Sequence, residues 1–181
     1  MTYLSNQLLN LSSPHFLKFI ILAWLGFVIS GLVYFQVSQL KSFDSDRVLL
    51  QDGWFLSFKK QLGLNTQTHE ASLVLVIEQN CGCAKQAKAH ITALKRFADE
   101  KGFNIIEHPY LAELHHVIPA TPAAVIIDKN GEFVYAGPLS EGLACSQGSG
   151  FVETAMTNLV AGFNSKLLVA DTKGCYCKNR V

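Results

Sequence analysis

The residues of this 181-residue chain best suited to chemistry are its five cysteines. Four of them share one spacing, in Cys81-Gly82-Cys83 and Cys175-Tyr176-Cys177, and the fifth is Cys145. Two thiols one residue apart can form a disulfide, exchange it with another dithiol, or hold a soft metal ion. The thiolate is the reacting species, and free backbone N–H groups and nearby cations favour it. Cys81 and Cys83 stand just ahead of Ala84 to Lys101, where Ala87, Ile91, Leu94 and Ala98 recur at helical spacing. The spacing therefore predicts a helix N-terminus at the pair, with Lys85 and Lys88 adding positive charge and the thiols ionising readily. A disulfide inside Cys-Gly-Cys closes a small strained ring, which makes it more oxidising, and Gly82 relieves part of the strain. This chemistry fits disulfide donation or isomerisation, and equally ligation of a metal by two close sulfurs.

An odd number of cysteines leaves at least one without an intramolecular partner. Three arrangements stay open. In the first, Cys81 and Cys83 are the active pair and a structural disulfide joins Cys145 to Cys175 or Cys177. In the second, both Cys-X-Cys motifs form a four-sulfur site for zinc, copper(I) or iron–sulfur, although zinc sites usually space their cysteines two to four residues apart. In the third, the tail pair Cys175 and Cys177 exchanges with Cys81 and Cys83 as a relay.

Other candidates are weaker. His15 and His69 lie in flanking or loop sequence, and His90 falls on the predicted helix as a satisfied or solvated side chain. His115-His116 stands before Ile118-Pro119, where an imidazole is a base or a third metal ligand in principle, and a surface histidine otherwise. Asp and Glu form no pair suited to hydrolysis, and G-x-S-x-G, P-loop and dinucleotide patterns are absent from the sequence. Gly137-Pro138-Leu139-Ser140 and Gly148-Ser149-Gly150 read as turns, the second ahead of a helix start that an anion can approach.

The positioning elements follow from composition and periodicity. The chain is 49% hydrophobic and 16% charged, against about 25% charged in ordinary globular proteins, which excludes intrinsic disorder. Fifteen basic and fourteen acidic residues give +1, so no net field draws nucleic acid. Residues 19–40, FIILAWLGFVISGLVYFQVSQL, hold 22 residues without a charge, enough to span a bilayer as an uncleaved anchor and longer than a signal-peptide core. Val28-Ile29-Ser30-Gly31 is a weak cleavage pattern only. Lys18 on one side and Lys41 with Arg47 on the other give a one-residue bias toward a cytoplasmic C-terminal part. The cysteine content instead favours an oxidising compartment.

The expected organisation is a flank (1–18), a transmembrane anchor (19–40), a linker with a short amphipathic helix through Trp54, Phe58 and Leu62 (41–71), one α/β domain (72–163) and a Cys-rich tail (164–181). Within the domain, Ser72 to Glu78 reads as a buried strand, Phe103 to Glu107 as a second, Tyr110 to Ile118 as helical turns and Ala123 to Asp128 as a third strand. Asn130-Gly131 turns into a returning strand, Phe133 to Ala136. Phe151 to Phe163 is an amphipathic helix, and Leu167 to Ala170 a short strand.

The order β-α-β-turn-β-β-α, with the cysteine pair at the first strand–helix junction and Thr121-Pro122 ahead of the third strand, resembles the thioredoxin-like superfamily over roughly residues 70–163. Within it, the chain looks most similar to a membrane-anchored bacterial branch. The resemblance implies a mixed sheet flanked by helices and a cis bond before Pro122, opposite the cysteines. It makes Cys81 the attacking and Cys83 the resolving thiol, with Thr121 offering backbone groups to an extended substrate. It further implies thiol–disulfide oxidoreductase or isomerase activity on protein thiols or disulfides without a cofactor. The apolar run and the cysteine content set the expectation of a single-pass inner-membrane protein whose C-terminal domain faces the periplasm. The expected partners are the lipid bilayer and protein thiols, not nucleic acid. Two departures stand out: one residue rather than two separates the cysteines, and Asn80 replaces the aromatic that often precedes the first. The alternative is a copper- or zinc-handling protein that ligates through Cys81, Cys83, Cys175 and Cys177.

Overall fold

A computed structural model describes residues 14–38, 40–64, 70–140 and 150–178. The chain divides into two units, Met1–Gln39 and Leu40–Val181. In the first, Pro14–Ser38 forms helix α1, 25 residues long. At 1.5 Å per residue it spans about 37 Å, more than a hydrocarbon core of about 30 Å. It begins ahead of the uncharged run because Pro14 suits a first helical position, lacking the N–H that would be unsatisfied there. Its apolar side chains are exposed on every side. The helix is long and apolar enough to cross a membrane.

The second unit contains β1 (Lys41–Ser42), α2 (Trp54–Gln61), β2 (Ser72–Ile77), α3 (Gly82–Gln86), α4 (Lys88–Glu100), β3 (Asn104–Pro109), β4 (Ala123–Ile127), β5 (Phe133–Pro138), α5 (Phe151–Val160), β6 (Leu167–Leu168) and β7 (Lys173–Gly174). Short 3₁₀ turns occupy Val48–Leu50 and Ala112–His116. Five strands form one mixed sheet in the order β3-β2-β4-β5-β6. β2 runs parallel to β3 and antiparallel to β4, β4 antiparallel to β5, and β5 parallel to β6. The parallel β2–β3 pair requires a crossover, which α3 and α4 supply. The β4–β5 hairpin turns where Asp128 Oδ1 accepts the N–H groups of Asn130 at 2.9 Å and Glu132 at 2.8 Å. Gly131 takes φ 78° there, a conformation glycine adopts without steric cost.

Alternation along the central strands builds two cores. Val74, Val76, Ala123, Val125 and Ile127 face one side, with Trp54, Phe58, Leu114 and Ile118. Leu73, Leu75, Ala124 and Ile126 face the other, with Leu94 and Ala98 of α4 and Val152 and Met156 of α5. Both faces are covered, which is why these strands read as continuous apolar runs rather than alternating ones.

Several boundaries differ from expectation. The helix after the cysteines is two helices, joined at Ala87. The last helix ends at Val160, and Gly162 at φ 88° turns the chain away. The strand expected at Leu167 to Ala170 shortens to two residues. Residues 41–71, expected as linker with one helix, bury Phe43, Val48, Leu49, Trp54 and Phe58. The Asp44 carboxylate holds the N–H groups of Val48 and Leu49, each at 2.8 Å, and Trp54 Nε1–H donates to the Val117 carbonyl at 2.6 Å. The expected tail also folds with the domain: β6 extends the sheet, and β7 pairs with β1 through Lys41–Gly174 and Ser42–Lys173. Strands of two residues leave no period-2 signature in a sequence.

Candidate functional site

The site starts where β2 ends. The Cys81 N–H donates to the Glu78 carbonyl at 3.2 Å, which turns the chain out of the sheet, and the Cys81 carbonyl accepts from Lys85 N–H at 3.2 Å. Cys81 is thus the residue that caps α3, in extended backbone, and Cys83 lies in its first turn. Cys81 is only 5% exposed, and Cys83 is half-buried. Lys85 and Lys88 are exposed. Gly82 has open space where a Cβ would sit and an ordinary backbone conformation, so the fold does not use its special freedom.

Thr121 closes the opposite wall. Its peptide bond to Pro122 is cis, as the resemblance implied. The fully buried Thr121 hydroxyl accepts the Glu78 N–H at 3.0 Å, tying the end of β2 to this loop. Its backbone N–H donates to the Cys177 carbonyl at 2.9 Å, and its carbonyl accepts the Cys177 N–H at 2.8 Å. The tail therefore pairs with Thr121 as an antiparallel strand.

This pairing decides the sulfur arrangement. Cys177 lies at disulfide distance from Cys81, with Cα atoms 6.1 Å apart, and Cys175 from Cys83, with Cα atoms 5.5 Å apart. Both separations fall within the usual disulfide range of about 4.4–6.8 Å. Side chains alternate along an extended segment, so both tail cysteines reach the motif while Tyr176 points away from them. Tyr176 is buried; its ring meets the Phe43 ring edge-on at 5.1 Å, and its hydroxyl donates to the Ser140 carbonyl at 3.0 Å. A bridge from Cys145 to Cys175 or Cys177 is thereby corrected: both tail sulfurs face Cys81 and Cys83. Cys145 and His69 lie outside the described residues.

The sulfurs of Cys81, Cys83 and Cys177 all lie within 4.8 Å of one another. No histidine joins this cluster among the described residues. His115 Nδ1 instead meets the Ala112 carbonyl at 2.6 Å, and its ring lies 3.5 Å from that of His116. His90 is buried on α4, and its Nε2 lies 2.8 Å from Glu153 Oε1 of α5. Burial pushes the Glu153 carboxyl up. The hydrogen bond from His90, backbone N–H groups and the His90 charge outweigh burial and hold it below its ordinary value. At the end of β2, where Tyr110 N–H donates to the Ile77 carbonyl, burial and then the Glu78 charge raise the Tyr110 hydroxyl pKa, and that hydroxyl donates to the Ile118 carbonyl at 3.1 Å.

The sequence carries no signal for Tyr176 as the anchor of the tail or for the Glu78–Thr121 bond. Its one usable signal was the matched spacing of the two cysteine motifs.

Residues 51–179 match a family model described as "Domain of unknown function (DUF6436)". No curated protein matches the chain. Among solved structures, one described as an uncharacterized conserved protein from Geobacillus kaustophilus is 15% identical, with a TM-score of 0.46, covering 64% of this chain and 80% of its own.

Proposed function

The chain belongs to the family whose model it matches, and from its site we propose a membrane-anchored thiol–disulfide exchange protein with a thioredoxin-like domain, acting on protein thiols or disulfides. The observation that carries this reading is the apposition of two Cys-X-Cys motifs in two pairs at disulfide distance. Core filler does not require four sulfurs to meet pairwise on a strand that already pairs with Thr121. Helix α1 supports the anchor, and cysteine usage supports a periplasmic domain on an inner-membrane protein.

In the reduced form, Cys81 thiolate attacks a partner disulfide, forms a mixed disulfide and releases one partner thiolate. Cys83 thiolate then attacks Cys81 Sγ, releases the second partner thiolate and leaves a Cys81–Cys83 bond. The partner gains two electrons and the pair loses two. The reverse sequence oxidises a partner dithiol. Thr121 gives its N–H and carbonyl to Cys177, so the tail occupies the position that the resemblance assigned to an extended partner segment.

A second reading has its own support. Three sulfurs within 4.8 Å, with Cys175 bonded alongside, fit thiolate ligation of copper(I) or zinc once reduced. Native mass spectrometry of the chain purified in detergent without reductant or chelator, followed by disulfide mapping, separates the two. The exchange reading expects metal-free protein whose bridges open in mild reductant. Stoichiometric metal on four unoxidised sulfurs would overturn it in favour of metal handling.

A further inference from the structure

The tail is attached by more than its sulfurs. β7 pairs with β1, Phe43 N–H donates to the Thr172 carbonyl at 2.9 Å, Tyr176 is buried, and Cys177 pairs with Thr121. None of these contacts runs through a sulfur, so opening the bridges does not itself remove them. The tail dithiol therefore stays beside the motif instead of drifting away.

The two bridges are also unequal. Cys81 is buried, and its partner Cys177 is pinned on both backbone groups by Thr121. Cys83, Cys175 and Cys177 are all half-buried, but it is Cys175 Sγ that lies against an exposed side chain, with Oε1 of Gln86 at 3.7 Å. Gln86 marks the solvent side of the outer bridge, and a nucleophile can reach Cys175 there. Cys83 Sγ in turn lies within 4.8 Å of the sulfurs of both Cys81 and Cys177.

Resting on the exchange reading, we propose that Cys175 is a catalytic residue, the sulfur that partner thiols attack, and that the inner Cys81–Cys177 bridge is opened from within by Cys83. The centre is then a four-electron relay whose outer bridge faces the partner and whose inner bridge is the store. A partner dithiol supplies the electrons. Its first thiolate attacks Cys175 Sγ, forms a mixed disulfide and expels Cys83 thiolate. Its second thiolate closes the partner's own disulfide and expels Cys175 thiolate, which takes a proton from water. Cys83 thiolate then attacks Cys81 Sγ, breaks the Cys81–Cys177 bond and forms Cys81–Cys83, with Cys177 leaving as thiolate. Two electrons have entered, and they rest on Cys175 and Cys177. A second dithiol reduces Cys81–Cys83.

The test uses the full oxidised chain in detergent micelles, one equivalent of dithiothreitol, rapid alkylation and peptide mapping. The expected two-electron species has alkylated Cys175 and Cys177 and a Cys81–Cys83 bond. A species that keeps Cys81–Cys177, or one with a Cys175–Cys177 bond and free Cys81 and Cys83, overturns the inward transfer. One that keeps Cys83–Cys175 overturns Cys175 as the point of attack. In rate terms, Cys177 should become free about tenfold faster in the parent chain than in the Cys83→Ser/Cys175→Ser variant, because exchange rates follow access to the attacked sulfur. Equal rates refute the relay. Failure of the exchange reading looks different: the oxidised chain would show no bridges among these four cysteines before any dithiol is added.

Discussion

The nested pairing of the four cysteines, Cys81–Cys177 around Cys83–Cys175, makes a quantitative prediction about stability. The two bridges join residues 96 and 92 apart. In the chain-entropy model a loop of this length stabilises by about 4.7 kcal/mol. The two loops are not independent, because once one bridge exists the second closes a ring made only of residues 81–83 and 175–177. A ring of about six residues contributes roughly 2 kcal/mol on the same scale. Removing either bridge alone, as Cys81→Ala/Cys177→Ala or Cys83→Ala/Cys175→Ala, should therefore cost only about 2 kcal/mol. Removing both should cost about 7 kcal/mol, some 2–3 kcal/mol beyond additivity. The assay is urea unfolding of the full chain in micelles under non-reducing conditions, followed by near-ultraviolet circular dichroism, for the parent, the two double variants and the quadruple variant. Repeating the set in reductant should abolish the coupling. If the cysteines paired locally instead, as Cys81–Cys83 and Cys175–Cys177, each ring would hold three residues. The quadruple variant would then lose only about 3 kcal/mol, without the 2–3 kcal/mol excess. That result would refute pairing between the two motifs.

Three further outcomes follow from the geometry. Gly82→Ala should keep both bridges and full exchange in an insulin-type reduction assay, and raise stability by about 0.5–1 kcal/mol, since the site has space and alanine favours helix; loss of either bridge on peptide mapping would contradict this. Glu153→Gln removes a carboxylate whose folded pKa lies below its ordinary 4.5, so the stability it contributes is present above that value and is lost as pH falls through the folded pKa. The variant should be destabilised by about 1–3 kcal/mol at neutral pH, with the gap to the parent closing in acid; a gap unchanged across an acid unfolding series would count against the His90–Glu153 account. Tyr176→Ala should loosen the tail of the reduced protein, giving Cys175 and Cys177 alkylation rates several-fold above the parent's; unchanged rates would mean that the ring buried against Phe43 is not what holds the tail.

Much of the framework was legible in the residues. The apolar run ahead of Lys41, the buried strands at Ser72 and Ala123, the Asn130-Gly131 turn and the amphipathic helix after Gly150 each carry a local signal of length, period or turn chemistry. The helix after the cysteines was legible as an element, but the break at Ala87 was not, because alanine carries no breaker signal. The roles of Phe43 and Asp44 were hidden because their partners lie far along the chain: Phe43 meets Tyr176, and Asp44 caps a turn whose position tertiary contacts fix. Read alone, the residues establish that two matched cysteine motifs exist and that one follows a buried strand. Which sulfur meets which is a property of the folded chain. Four cysteines allow three connectivities, and the choice among them depends on Cα separations across the fold. Here those separations are set by the bonds of Cys177 to Thr121 and by the burial of Tyr176.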